Sequence, residues 1–259
     1  MSKQILSQLD DGEVRPYVFL CGDPRRVPTI AEAVGAPREV RVEREYTVWE
    51  ASLDGRKVTV ASTGMGGPST AILIEEMARL GAHTFIRIGT SGGLKPEAKK
   101  GELVIATGAI RADGTSRSYV WPEYPAVATW RAVAALVEAA EAEGHPYHVG
   151  LAYSVDGFYS ENKILAEDRS LTPMAFGGFQ LEATREKVRD AVRAGAVNIE
   201  MESATLFTLA GLFNLTAGMV CIVSDVVPWH PTEDLYDPEE GMHRAINVAV
   251  SAMRKLMAG

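Results

Sequence analysis

Short apolar runs that break on glycine and give way to helix-patterned segments restrict this chain to an α/β architecture. Residues 17–21 read as a buried strand that stops at Gly22-Asp23-Pro24, and residues 26–34 follow as a helix. Residues 84–88 are apolar except for Arg87 and stop at Gly89-Thr90-Ser91-Gly92-Gly93. Between them, residues 39–53 alternate as one strand, Asp54-Gly55 signals a hairpin, and residues 57–63 return as its partner. The loop from Gly64 to Ser69 opens a helix that stops near Gly81, with Pro68 in its first turn. Further strands are expected at 102–109, 148–155 and 217–224. Val127, Trp130, Val133 and Val137 recur at helical spacing, residues 181–194 read as a charged helix, and a last helix carries Met242, Ile246, Ala249, Met253 and Leu256 on one face. Residues 160–180 show no period, and residues 227–238 read as a Pro-rich loop. The early hairpin makes the sheet mixed rather than purely parallel. With no linker or repeat, a single domain over residues 1–259 is the expectation.

Charge narrows the partners. The chain has 34 acidic against 26 basic residues, a formal net charge of −8. Such a chain is a poor nonspecific binder of nucleic acid polymers, so its arginines are expected to serve a small anion at one site. Cys21 and Cys221 both lie in apolar, strand-like runs and read as buried thiols; neither has the neighbours of a disulfide framework or a zinc site. Residues 1–13 lack the apolar core of a signal peptide, and no run approaches the roughly 20 apolar residues of a membrane helix. The expected setting is cytoplasmic, with no membrane partner.

Three arginines stand in settings suited to an oxyanion. Arg26 follows Gly22-Asp23-Pro24-Arg25, Arg44 opens Arg44-Glu45-Tyr46, and Arg87 precedes a glycine-rich turn. Guanidinium forks match phosphate oxygens, and glycine turns let backbone N–H groups approach the same anion. Each also has a plainer reading: an ordinary turn, a solvated strand face, and a structural ion pair. Asn198-Ile199-Glu200-Met201-Glu202-Ser203 places two carboxylates beside a helix start, either as caps or as acceptors for a vicinal diol with Met201 on the sugar face. Ser224-Asp225 ends the last strand, as a turn or cap or as an acid for a leaving group. Phe158 and Tyr159 are candidates to stack on a flat heterocycle, or to pack as core.

In this order the motifs Gly-Asp-Pro-x-Arg, Arg-Glu-Tyr, Ser-Thr-Gly-Met-Gly-Gly-Pro-Ser-Thr, Arg-Ile-Gly-Thr-Ser-Gly, Phe-Tyr and Asn-Ile-Glu-Met-Glu-Ser resemble the nucleoside phosphorylase-I family, its uridine phosphorylase branch in particular. The likeness runs from about residue 17 to 223. It implies a single α/β domain, a twisted mixed β-sheet flanked by helices. It implies that a nucleoside and phosphate are converted to free base and (deoxy)ribose 1-phosphate, phosphate being a co-substrate and no cofactor being required. Gly22, Arg26, Arg87 and Thr90 would bind phosphate, with Arg44 reaching in from a neighbouring subunit. Thr90, Phe158, Asn162, Glu200, Met201 and Glu202 would contact the nucleoside, Glu202 on the ribose hydroxyls. Arg87, Glu202 and Asp225 are the residues expected to carry the chemistry. Glu45, Met65 and Ser69 match positions that hold a monovalent cation such as K+ at a dimer interface. The implied assembly is a homodimer with a shared active site, built into a hexamer as a trimer of dimers.

The chain departs from the uridine pattern at the base pocket. Asn162 occupies the position of a glutamine and Ile164 that of an arginine, with Lys163 between them. Ser224-Asp225 instead looks like the purine branch, where an aspartate protonates the ring. No histidine precedes His83, so the usual contact to the 5′-hydroxyl is missing. Three readings stay open at this level: a phosphorylase of uridine or purine type, a nucleosidase using water, and a noncatalytic nucleoside-binding protein.

Overall fold

The apolar runs at 17–21 and 84–88 become adjacent central strands; the first stops before Gly22 as expected, but the second does not turn at Gly89 and continues as strand through Gly93. The computed structural model describes residues 3–165, 170–226 and 238–258. The chain opens with strand β1 (Tyr17–Cys21) and helix α1 (Arg26–Val34), followed by the antiparallel strands β2 (Arg38–Glu43), β3 (Tyr46–Leu53) and β4 (Arg56–Ser62). Helix α2 (Gly67–Arg79) leads to β5 (Thr84–Gly93), β6 (Leu103–Ala112), the short α3 (Thr115–Tyr119) and β7 (Ala126–Val127). Then come α4 (Trp130–Ala142), β8 (Tyr147–Val155), the one-turn α5 (Phe158–Glu161), and the hairpin of β9 (Lys163–Leu165) and β10 (Leu171–Pro173). Two 3-10 turns, Phe176–Gly178 and Glu182–Thr184, precede α6 (Lys187–Arg193), β11 (Ala196–Glu200), α7 (Ser203–Leu212), β12 (Thr216–Val226) and α8 (Pro238–Ala258).

The main sheet runs β11-β8-β6-β12-β5-β1-β4-β3-β2, with β7 on β6. β5 is parallel to both β1 and β12, while its last residues pair antiparallel with β11, Gly92 against Ile199 and Gly93 against Asn198. That second pairing closes β11, β8, β6, β12 and β5 into a ring, so the mixed sheet is curled at one end. Helices α1, α4 and α8 cover one face through Val27, Ile30, Leu136, Ile246 and Met253. Helices α2 and α7 cover the other through Leu73, Ile74, Met77, Leu206 and Phe207. The α/β class and mixed sheet are therefore as expected, and no helix among the described residues is long and apolar enough to cross a membrane.

Local differences have identifiable causes. The single strand expected over 39–53 is two strands, β2 and β3, reversing at Arg44-Glu45, where Arg44 takes φ 55°. Asp54-Gly55 does make the next reversal, with φ 51° and 82°, the left-handed pair a tight hairpin requires. Val127 belongs to β7 rather than to α4, paired with Gly108. Trp130 lies on the exposed side of α4, whose buried face is Ala132, Ala135, Leu136, Ala139 and Ala140. The helix expected over 181–194 shortens to α6 behind a 3-10 turn, and the aperiodic stretch 160–180 holds the small β9-β10 hairpin. Of the loop expected at 227–238, residues 227–237 lie outside the described residues and position 238 begins α8.

Candidate active site

The carboxyl ends of β1, β5 and β12 open into a cavity of about 520 Å³, the position at which parallel α/β sheets bind ligands. Gly22, Arg26, Arg87, Thr90, Phe158, Asn162, Glu200, Met201, Glu202 and Asp225 all line it. Strand register explains the gathering. Leu20 of β1 and Met219 of β12 both pair with Arg87, so the turn after β1, the last residues of β5 and the end of β12 lie side by side.

Arg87 is the buried cation of this wall, 4% exposed. Its Nη2 donates to Glu202 Oε2, and its Nη1 lies 3.5 Å from Cys221 Sγ and 3.9 Å from Met219 Sδ. Its Nε has no acceptor among the described residues. One carboxylate oxygen and two soft sulfurs leave a five-donor fork far from satisfied, with donors free to take an oxyanion. Gly22 faces the guanidinium: a Cβ there would come within 3.9 Å of Nη2. Gly89, two residues on along the same strand face, lets the guanidinium fold back over the backbone, since any Cβ at that position would collide with Nη1. Arg26 is half-buried at the start of α1. Asp23, also on the cavity wall, is neutralised by a bidentate pair with Arg25 (2.8 Å), which holds its carboxyl below the usual range.

Glu202 is equally buried and is held from two sides. Its Oε1 accepts from Gly66 N–H at 2.7 Å while Oε2 meets Arg87. Burial raises the Glu202 pKa, with Arg87 pulling the other way and Glu200 reinforcing the rise. Burial lowers the affinity of Arg87 for its proton, but the acidic groups around it, Glu202 foremost with Cys221 and Glu200, together outweigh burial and the net shift is upward. Glu200 is committed to α7: Oε2 accepts from the amides of Glu202 (2.8 Å) and Ser203 (2.9 Å), and Oε1 accepts from Ser203 Oγ (2.5 Å). It lines the cavity, yet its oxygens cap a helix. Both thiols are fully buried, and burial pushes Cys21 and Cys221 to about 12.

The cavity also has an apolar portion. Val155, Phe158, Ile199 and Met201 supply its apolar surface and Asn162 a buried amide. Phe158 is half-exposed and meets Tyr159 edge-to-face at 5.2 Å. Lys163 points away: it is buried, and its Nζ donates to Ser160 O at 2.7 Å. The side chain of Ile164 lies outside the described residues. Asp225 enters the wall through a bulge. The register of β12 on β5 shifts between Val223 and Asp225, leaving Ser224 as the extra residue. Ser224 Oγ then lies 2.8 Å from Asp225 Oδ1 and 3.2 Å from Ser91 O.

Arg44 is exposed on the β2–β3 turn and is not part of the cavity lining. Glu45 and Met65 line the cavity mouth, and Ser69 Oγ donates to Glu45 Oε1 at 2.8 Å and also contacts Thr63 O. A carboxylate, a hydroxyl and nearby carbonyls are hard oxygen donors, which fit a monovalent cation; no cluster of three His, Cys, Asp or Glu occurs among the described residues. Sequence reading missed Gly66 as the donor to Glu202, Gly89 as the seat of Arg87, and Cys221 as its neighbour. Only the position of Cys221, two residues after Met219 on a strand beside Arg87, carried a signal.

A buried arginine and a buried carboxylate thus face one cavity at the carboxyl ends of the central strands. The Phosphorylase superfamily profile matches residues 16–258, and the chain belongs to that family. It is 45% identical over 212 residues to a uridine phosphorylase of Thermococcus kodakarensis, covering 82% of this chain and 73% of that one. It is 39% identical over 238 residues to a uridine phosphorylase of Klebsiella aerogenes, covering 91% and 90%. It is also 36% identical over 263 residues to a guanosine phosphorylase of Halorubrum lacusprofundi, covering 99% and 100%.

Proposed function

We propose that this protein is a nucleoside phosphorylase of the uridine phosphorylase type, converting a nucleoside and phosphate to free base and ribose or deoxyribose 1-phosphate. The observation that carries the reading is the Arg87–Glu202 pair, a phosphate-type cation and a diol-type carboxylate buried side by side in one cavity wall. Gly22, Arg26, Arg87 and Thr90 hold phosphate, while Met201 and Glu202 hold the sugar. Phe158 and Asn162 line the base end. A phosphate oxygen forms a bond to the anomeric carbon as the C–N bond breaks, and that electron pair leaves with the base. The wall contributes orientation and prearranged charge around an oxocarbenium-like sugar. Product analysis tests this: free base and ribose 1-phosphate are expected in equal amounts, and free ribose in place of ribose 1-phosphate would make the protein a hydrolase.

Arg44 completes the phosphate site of a neighbouring copy in this reading, giving a homodimer with shared sites, assembled as a hexamer. Glu45, Met65 and Ser69 would hold a monovalent cation such as K+ at that interface, as a structural charge rather than a reactant. The proposed setting is cytoplasmic pyrimidine salvage. A second reading, purine phosphorolysis, is favoured by Asp225, which the β12 bulge brings into the cavity wall, and by the full-length guanosine phosphorylase relative. Asp225→Asn separates the two: selective loss on purines supports the acid role, and equal activity on all bases removes Asp225 from the chemistry.

A further inference from the structure

Asp113 lies at the end of β6, 1% exposed, and is not part of the cavity lining. Its carboxylate nevertheless joins three elements. Oδ2 accepts from Ser116 N–H at 2.7 Å and from Thr205 Oγ1 at 3.0 Å, and Oδ1 accepts from Ser116 Oγ at 2.5 Å. Ser116 opens α3, and Thr205 stands in the first turn of α7, three residues after Glu202. The same hydroxyl of Thr205 faces the first residue of α2. A Cβ on Gly67 would stand 2.6 Å from Thr205 Oγ1 and 2.7 Å from Thr115 Oγ1, so the backbone there is seated on those two threonines. Gly66, the preceding residue, donates its N–H to Glu202 Oε1.

We propose that Asp113 is a positioning residue for the candidate active site. It fixes the rotamer of Thr205, which seats the Gly66-Gly67 corner, and that corner orients Glu202 toward Arg87 and the sugar. A fully buried carboxylate with three donors is expensive to retain unless its bonds are complete; here two anchor it to Ser116 of α3 and the third runs to Thr205 of α7, the helix that starts directly after the lining residue Glu202. The turn after Asp113 also reaches the base side, because Gly114 N–H donates to Asp156 Oδ2 at 2.7 Å, two residues before Phe158. The 113–116 turn thus ties the sugar wall to the base wall without touching either substrate.

The inference rests on the sugar-holding role of Glu202, and the test separates the two. Thr205→Val deletes the hydroxyl at constant shape, and Thr205→Ser restores it; Asp113→Asn is the second variant. Amide exchange at Gly66 reads the corner directly, with or without turnover. Thr205→Val is expected to speed that exchange several-fold while the rest of α2 stays protected, and Thr205→Ser to return it to the parent rate. In kinetics, KM for a ribonucleoside is expected to rise about three- to tenfold, the range one lost hydrogen bond transmits. KM for phosphate stays within about twofold. The loss is expected to shrink on a 2′-deoxynucleoside, which gives Glu202 less to hold. Unchanged Gly66 exchange, or equal losses on ribo- and deoxynucleosides, would overturn the proposal. If the parent protein released no base from any nucleoside, the phosphorylase reading would fall, and the exchange result alone would decide the role of Asp113.

Discussion

Gly89→Ala isolates the seat of Arg87 from every other feature of the cavity. The residue lies within β5, outside the left-handed region of backbone space, so alanine is acceptable to the backbone. The obstacle is side-chain space alone. The added Cβ would stand 2.9 Å from Cys221 Sγ and 3.0 Å from Arg87 Cζ, and it would overlap Nη1. Overpacking of this kind costs about 1–3 kcal/mol of stability when absorbed by rearrangement. The movable group is the guanidinium, which must swing away from the sulfurs and from Glu202. Losing the alignment of one charge-assisted hydrogen bond, worth about 1.5–3 kcal/mol, corresponds to a roughly 10- to 150-fold fall in kcat/KM for phosphate. The assay is base release against phosphate concentration, with a thermal melt to establish that the variant is folded. A folded Gly89→Ala protein with the parent phosphate KM and kcat would refute the placement of the anion beside Arg87.

Two other outcomes follow from buried carboxylates. Glu202→Gln keeps an acceptor for Gly66 but removes the charge facing Arg87; kcat/KM for a ribonucleoside is expected to fall about 10- to 100-fold, and parent-level steady-state kinetics would exclude Glu202 from sugar binding. Glu50 gathers Arg15, Arg38 and Lys57 on the β2–β3–β4 sheet. Burial opposes its charge, but the bonds from Lys57 and Arg15 prevail and bring it to about 2. A carboxyl depressed in the folded state stabilises fully above its unfolded pKa and loses that contribution as pH falls from about 4.5 toward 2. The contribution is at most about 3 kcal/mol, reduced by the solvent around Lys57 and Arg38. Urea midpoints should therefore separate the parent from Glu50→Gln at pH 6 and converge near pH 2; a constant gap would contradict the shift.

What the sequence made legible follows the strength of local signals. The strand–turn–helix unit over residues 17–34 and the Asp54-Gly55 hairpin formed where expected, the hairpin on left-handed backbone that few residues supply, whereas the turn expected at residues 89–93 is the second half of β5, its glycines leaving room for neighbouring side chains rather than reversing the chain. The Arg44-Glu45 reversal was hidden because it uses no glycine, proline or asparagine. The buried face of α4 was hidden because it is built of alanines, while the conspicuous Trp130 faces solvent. Helix α7 is apolar nearly all round, so it offered no period to read. At the site, residue types were readable but not their bonding: nothing local says that Glu200 caps α7 whereas Glu202, two residues on, turns to Arg87. That division depends on the β11–β5 pairing and on Gly66, 136 residues away.

The most direct test of the central claim is the initial rate of base release from uridine, thymidine, inosine and adenosine as phosphate is raised from zero. The account requires a rate that starts near zero and saturates with phosphate for at least one of these nucleosides. Base release at the full rate without phosphate would contradict it, and so would none at any phosphate concentration.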